Sequence, residues 1–350
     1  MDQVAAAEFP FLSHDFEVSG HGGTCFKLRY IDEGPETRAS GTGEPGGAVP
    51  SGGESIAPQA VPPSNLSSGQ VESSLTSAAG PILCVHGNPT WSFYFRRIVE
   101  TFSGTRRVIA VDHLGCGRSE KPAKTEFDYC LASHRDNLVA LIESLDLRNV
   151  TLLAHDWGGA IGLSALMEQR QRFDRVILLN TAAFPPPYIP FRIAACRWPV
   201  VGTLAVRGAN AFARAAQTMT MARTTLSPAA RRAMIAPYDS WAHRVAIDAF
   251  VQDIPMSEKH RTHSVLNSLE LGLKDLRHLP VGMIWGMKDW CFRPECLRRL
   301  QAHWPHAKSV EIEDAGHYVL EDAPQETIDA IQDMLAAQVT AGPPTSVGPQ

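Results

Sequence analysis

The chain has 350 residues, enough for one large α/β domain with an inserted subdomain and a full core. Its formal net charge of -5 gives no reason to expect nucleic acid or an acidic membrane as partner. Seven scattered cysteines (Cys25, Cys84, Cys116, Cys130, Cys196, Cys291, Cys296) form no CxxC pair and no zinc-ligand spacing, so they read as reduced thiols of a cytoplasmic protein.

Met1 to Pro10 lacks a basic region followed by an apolar core and reads as no secretory signal; no run of eighteen apolar residues marks a membrane span. Residues 1–33 are expected to hold N-terminal core strands, since Phe26 to Ile31 alternates and runs into the turn Asp32-Glu33-Gly34. From 34 to 80 the composition shifts to Gly, Ser, Pro, Ala and Glu without aromatics. Such a segment buries too little apolar surface to offset its ordering entropy, so a disordered, tolerated insertion is expected there. The core resumes over 81–184. Pro81 to Val85, Arg107 to Val111, Thr151 to Ala154 and Arg175 to Leu179 are short apolar strands, with a helical pattern from Ser133 to Leu145. Between 185 and 279 the strand cadence stops, and the periodicity predicts a helical cap. Residues 280–338 return to the core with strands at Val281 to Trp285 and Ser309 to Ile312, and 339–350 reads as a disordered tail. Strands apolar on both faces and separated by helices predict an α/β fold, a mostly parallel sheet covered on both sides.

The most informative stretch is Ala154-His155-Asp156-Trp157-Gly158, a sharp turn between a strand and the helical run Gly159 to Leu166. Small residues flanking one polar side chain at such a turn make a nucleophile elbow. Here the raised side chain is a carboxylate, which can displace a leaving group from saturated carbon and form an ester on the enzyme. His317, in Asp314-Ala315-Gly316-His317-Tyr318 after the last strand, is the candidate base. Asp289, just beyond the Val281 strand, is the candidate acid that orients it. Asn88 and Trp157 bring side-chain N–H donors, and a backbone N–H of the loop His86 to Trp91 and that of Trp157 are the expected oxyanion donors. The order nucleophile, acid, histidine is the one used by α/β-hydrolases. Asp112 to Ser119 has phosphate-loop-like glycines but reads as a structural turn. Arg207, Arg214, Arg223, Arg231 and Arg232 read as solvated helix faces. Trp285 reads as packing, and Met219 and Met221 as cavity wall or gap filler.

His86-Gly87-Asn88-Pro89-Thr90-Trp91 and His155-Asp156-Trp157-Gly158-Gly159 resemble the signature motifs of haloalkane dehalogenases, members of the α/β-hydrolase superfamily. Asn180 to Phe184, Ala236 to Trp241 and Phe250 to Pro255 look like the third dehalogenase subgroup and the related β-lactone decarboxylases of olefin biosynthesis. The resemblance covers residues 80 to 335 and, more weakly, 8 to 33. It implies an α/β-hydrolase fold with Asp156 as nucleophile, His317 as base, Asp289 as acid, and Asn88 with Trp157 stabilising halide. The subgroup with the acid one strand earlier is excluded, because Asn180 to Phe184 holds no carboxylate. A small apolar substrate is implied, with no metal or organic cofactor. The first expectation is carbon–halogen cleavage through an aspartyl ester that His317-activated water resolves. Decarboxylation of a β-lactone (cis-3-alkyl-4-alkyloxetan-2-one) to an alkene is the alternative. Epoxide hydrolysis, with Tyr188 or Tyr238 as acid, ranks third, and a binding protein with a vestigial site ranks last.

Overall fold

The computed structural model describes residues 8–35 and 79–337. Apart from its edges at 34–35 and 79–80, the expected insertion lies outside the described residues, as does the tail over 339–350. Eight strands make one sheet in the order β1-β2-β4-β3-β5-β6-β7-β8. They are β1 (Ser13–Ser19), β2 (Cys25–Glu33), β3 (Ile82–Val85), β4 (Val108–Asp112), β5 (Val150–Asp156), β6 (Phe173–Thr181), β7 (Val281–Gly286) and β8 (Lys308–Ile312). From β4 to β8 the pairing is parallel; β2 runs antiparallel to both β1 and β4. This is the α/β-hydrolase fold the motifs imply.

Every residue of β3, β4, β5 and β7 is buried, as a sheet covered on both faces requires. Successive side chains point to opposite faces. Leu83, Ile109, Leu152, Val176 and Met283 therefore enter one core with α2 (Leu131–Ser144), α3 (Trp157–Glu168) and α9 (Pro294–His303). Ile82, Val108, Leu153, Ile177 and Ile284 enter the other with α1 (Arg96–Phe102) and α10 (Pro324–Ala336). Each such side chain contributes about 1.5–3 kcal/mol of transfer free energy. The α2 helix starts at Leu131, two residues before the expected Ser133. Its first N–H finds a remote partner, the Asp253 carboxylate at 2.9 Å, which the local sequence does not reveal.

Among the described residues, the chain between β6 and β7 holds helices and turns and no strand. Its helices of five or more residues are α4 (Phe191–Ala195), a π-helical stretch at Leu204–Gly208, α5 (Ala211–Met219), α6 (Pro228–Ile235), α7 (Val245–Asp253) and α8 (Arg261–Gly272). Buried Arg244 ties three of its turns, donating to the carbonyls of Tyr238, Asp239, Arg207 and Gly208. Arg214 and Arg232 are exposed on α5 and α6. Arg223 corrects the sequence reading. It sits on no helix and bridges the Asp314 and Glu326 carboxylates of the core.

Candidate active site

The strand β5 ends at Asp156, and α3 begins at the next residue. Asp156 holds φ +55° and ψ -130°, a conformation that costs about 1–3 kcal/mol and persists only where the surroundings enforce it. Here they do. The Thr181 hydroxyl donates to the Asp156 carbonyl. A Cβ on Gly158 would lie 2.0 Å from the Val85 carbonyl oxygen, and one on Gly87 would lie 1.9 Å from Asp156 Oδ1. Both positions therefore need glycine, and the carboxylate stands raised at the strand end.

The other expected residues converge on it from the C-terminal ends of their strands. The backbone N–H of Asn88, in the loop after β3, donates to Asp156 Oδ1 at 2.6 Å. The second expected backbone donor, that of Trp157, opens α3. His317 Nε2 lies 3.5 Å from Asp156 Oδ2, and its Nδ1 lies 2.8 Å from Asp289 Oδ2. Asp289 Oδ1 accepts the N–H groups of Cys291 and Phe292, which fix the carboxylate's plane. All three side chains are buried. Burial alone would lower the His317 pKa, but the Asp289 charge, with Asp156 behind it, outweighs burial and raises it to about 10. Burial likewise pushes the Asp289 carboxyl up, and the adjacent imidazole with its hydrogen bonds brings it below the usual carboxylate range. The geometry is thus an imidazole ring set between two carboxyl groups, with its affinity for a proton raised.

Asn88 and Trp157 flank this floor on the wall of a cavity of about 500 Å³. The Asn88 side-chain amide donates to the Ile247 carbonyl at 3.2 Å, and its Oδ1 is buried without a partner. The Trp157 ring packs on Phe250. Above them the walls are apolar: Phe184, Ile189, Ile193, Phe212, Met219, Ile254, Leu266 and Trp290. Among the described residues no three His, Cys, Asp or Glu side chains are grouped to hold a metal ion.

Comparison with known proteins agrees with this geometry. The family described as the alpha/beta hydrolase fold matches residues 80–324. The chain belongs to the α/β-hydrolase fold family. Within it, the cis-3-alkyl-4-alkyloxetan-2-one decarboxylase of Shewanella oneidensis is 38% identical over 273 residues, 77% of this chain and 85% of that protein. Haloalkane dehalogenase 2 of Mycobacterium tuberculosis is 30% identical over 266 residues, 72% of this chain and 86% of that protein. The crystal structure of haloalkane dehalogenase DatA from Agrobacterium tumefaciens C58 shares the fold, with a TM-score of 0.70 and 21% identity across 94% of this chain and 98% of that one. Haloalkane dehalogenases and alkyloxetanone decarboxylases are thus the α/β-hydrolase relatives that the motifs point to.

Several parts of this α/β-hydrolase site escape sequence reasoning. Asn180, read only as a missing acid, donates to Asp289 Oδ2 at 2.9 Å while its own Oδ1 accepts the Gly286 N–H. It holds Asp289 at the angle His317 needs. Asp322 accepts the N–H groups of Gly316, Ala222, Arg223 and Thr224, stapling the histidine loop to the segment after α5. Burial opposes charge on Asp322, yet these four donors pull its pKa below the ordinary value. His155 donates from Nε2 to the His317 carbonyl and stacks between Tyr94 and His317. Burial lowers its pKa to about 3, so it stays neutral. The two tyrosines weighed as epoxide acids are engaged elsewhere. Tyr188 reaches the cavity, but its hydroxyl donates to the Cys291 carbonyl and accepts the Arg293 N–H. Tyr238 is buried away from the cavity lining, with its hydroxyl on the Thr90 carbonyl. Burial raises the pKa of both. Asp112 closes the Asp112 to Ser119 turn by accepting the Ser92 and Arg118 N–H groups. Trp285 is buried packing and Met219 lines the cavity, while Met221 packs on the core.

Proposed function

We propose that this enzyme opens β-lactones carrying two alkyl chains and converts them to an alkene and carbon dioxide. The observation that carries the reading is the apolar cavity of about 500 Å³ that rests on one carboxylate, a size suited to ligands larger than a simple haloalkane. The 38% identity to an alkyloxetanone decarboxylase supports it independently. This reverses the order expected from the motifs. Both chemistries share Asp156, Asn88 and Trp157, so the motifs weigh equally on either side.

In the proposed cycle the Asp156 carboxylate attacks the saturated, alkyl-bearing ring carbon bonded to the ring oxygen. That carbon–oxygen bond breaks, and its electron pair leaves as a substrate carboxylate while an Asp156 ester forms. The His317 imidazolium is the counter-charge for this new carboxylate, and the Asn88 and Trp157 N–H groups supply donors. The bond between that carboxylate and the chain then breaks. Carbon dioxide departs, the electron pair forms the carbon–carbon double bond, and the bond to Asp156 breaks to return the free carboxylate. No water is consumed and no proton is lost. Four-membered ring strain drives the first step and carbon dioxide release the second, so the protein's task is to position the groups and exclude water.

A second reading, halide displacement, uses the same Asn88 and Trp157 side chains beside Asp156 on the cavity wall. There a halide leaves, and His317 activates water against the Asp156 ester. Alkylation removes one of the two carboxylates that keep His317 charged, which frees it to act as base. Heavy-oxygen water separates the two. Lactone turnover is expected to give alkene with no label in Asp156. Label in Asp156 together with a hydroxy acid product would overturn the decarboxylase reading.

A further inference from the structure

The net charge of -5 conceals an uneven distribution. From Arg175 to Tyr238 the sequence holds eight arginines and neither Asp nor Glu. The same segment carries the most exposed apolar surface of the described chain. Phe191 is 73% exposed, Val200 70%, Val201 62%, and Trp198 and Leu204 54% each. These are neighbours in space. The Phe191 and Trp198 rings lie 6.1 Å apart, the Gly202 N–H bonds the Trp198 carbonyl, and the Leu204 N–H bonds the Val200 carbonyl. Scattered apolar residues on a surface need no explanation, but a contiguous patch with two aromatics marks an interaction site.

Two arginines border the patch without a close ion pair. Arg197 donates to the Val251 and Gln252 carbonyls, and Arg207 donates to the Trp241 carbonyl with its guanidinium over the half-exposed Trp241 ring. Among the described residues neither has a carboxylate within ion-pair distance. Val200 holds φ +63°, which a β-branched residue seldom adopts, at the point where the chain turns outward. The patch also shares α4 with the cavity: Phe191 faces out, while Arg192 and Ile193 line the inner wall.

We propose that this face seats on an anionic lipid bilayer. Trp198, Val200, Val201 and Leu204 enter the interfacial layer, and the arginines meet lipid phosphates. Aromatic and aliphatic side chains bordered by arginine are the composition of an interfacial surface. Pairing of this face with a second copy of itself would set arginine against arginine. The seating places the helix that walls the cavity against the phase in which long alkyl chains dissolve. The inference rests on the surface alone and holds whatever the cavity turns over.

The test is flotation of the full-length protein with unilamellar vesicles, either rich in phosphatidylglycerol or made of phosphatidylcholine alone. The protein should float with the anionic vesicles, weakly with the neutral ones, and less as salt rises. The double variant Trp198→Ser/Val201→Ser should lose about tenfold in partitioning, and Arg207→Gln about fivefold, with thermal midpoints unchanged. Leu204→Ser gives an independent reading should the double variant not fold. Absence of wild-type binding to anionic vesicles, or equal binding by the variants, overturns the proposal. So does self-association in solution that the double variant abolishes, since the face would then be a protein interface.

Discussion

The floor and the roof of the cavity are held by different physics. At the floor, every candidate catalytic group is fixed by a buried polar contact. The Asn88 N–H meets Asp156, two backbone N–H groups and Asn180 meet Asp289, and four backbone N–H groups meet Asp322 beneath the His317 loop. At the roof, the lining is mostly apolar side chain, with Arg192 and Tyr188 among it. A polar site tolerates little displacement, because a buried unpaired donor or charge costs its full desolvation. An apolar wall can exchange one side chain for another at the cost of volume alone. In the proposed reaction the floor therefore confines the chemistry to displacement by a carboxylate, and the roof selects what is displaced.

This comparison can be broken at graded cost. Asp156→Asn should reduce kcat by at least about a thousandfold while leaving the thermal midpoint in place, as expected for a nucleophile; a smaller loss would mean that another group attacks. Next is the buried pair of Arg96 with Glu321, which braces α1 against the segment after His317. Arg96→Ala strands the Glu321 charge and should cost about 3–5 kcal/mol in urea unfolding. Asp322→Ala should cost about 2–3 kcal/mol by leaving backbone donors unmet, and should slow turnover as the histidine loop loosens. At the roof, Phe212→Ala should change kcat/KM about tenfold or less, with the sign depending on substrate chain length. If Phe212→Ala instead abolished turnover of all substrates, the division between floor and roof would fail.

The pH dependence follows from His317. Its pKa is raised above 6.5, to about 10, so the group binds its proton more tightly folded than unfolded. Its stabilising contribution is complete below pH 6.5 and is lost as pH rises through about 10. Stability of the wild type should therefore decline across that interval, and His317→Gln should flatten the decline. An equal slope in the variant would show that another group titrates.

Much of the floor was legible in the sequence, because each reacting residue ends or follows a strand whose apolar run is local. Asp156, Asp289 and His317 could be placed without knowing the pairing of strands. What supports them could not. Asn180 reaches Asp289 across 109 positions, His155 reaches the His317 carbonyl across 162, and Asp253 meets the first N–H of α2 across 122. Such partners leave no periodicity to read. Strand β1 has no clear apolar alternation to fix its bounds within 1–33, since its position at the sheet edge leaves most of its side chains half-buried or exposed. The roof was read as helical, but which faces turn inward is set by packing against α3 and the loops beneath. A polar sequence pattern does not record that.

The most direct test compares two products at one enzyme concentration. A cis-dialkyl β-lactone is scored for alkene and a matched bromoalkane for halide, each against Asp156→Asn. The account predicts that alkene forms faster than halide and that both vanish in the variant. Faster halide release, with the lactone left intact or hydrolysed to its hydroxy acid, would contradict it.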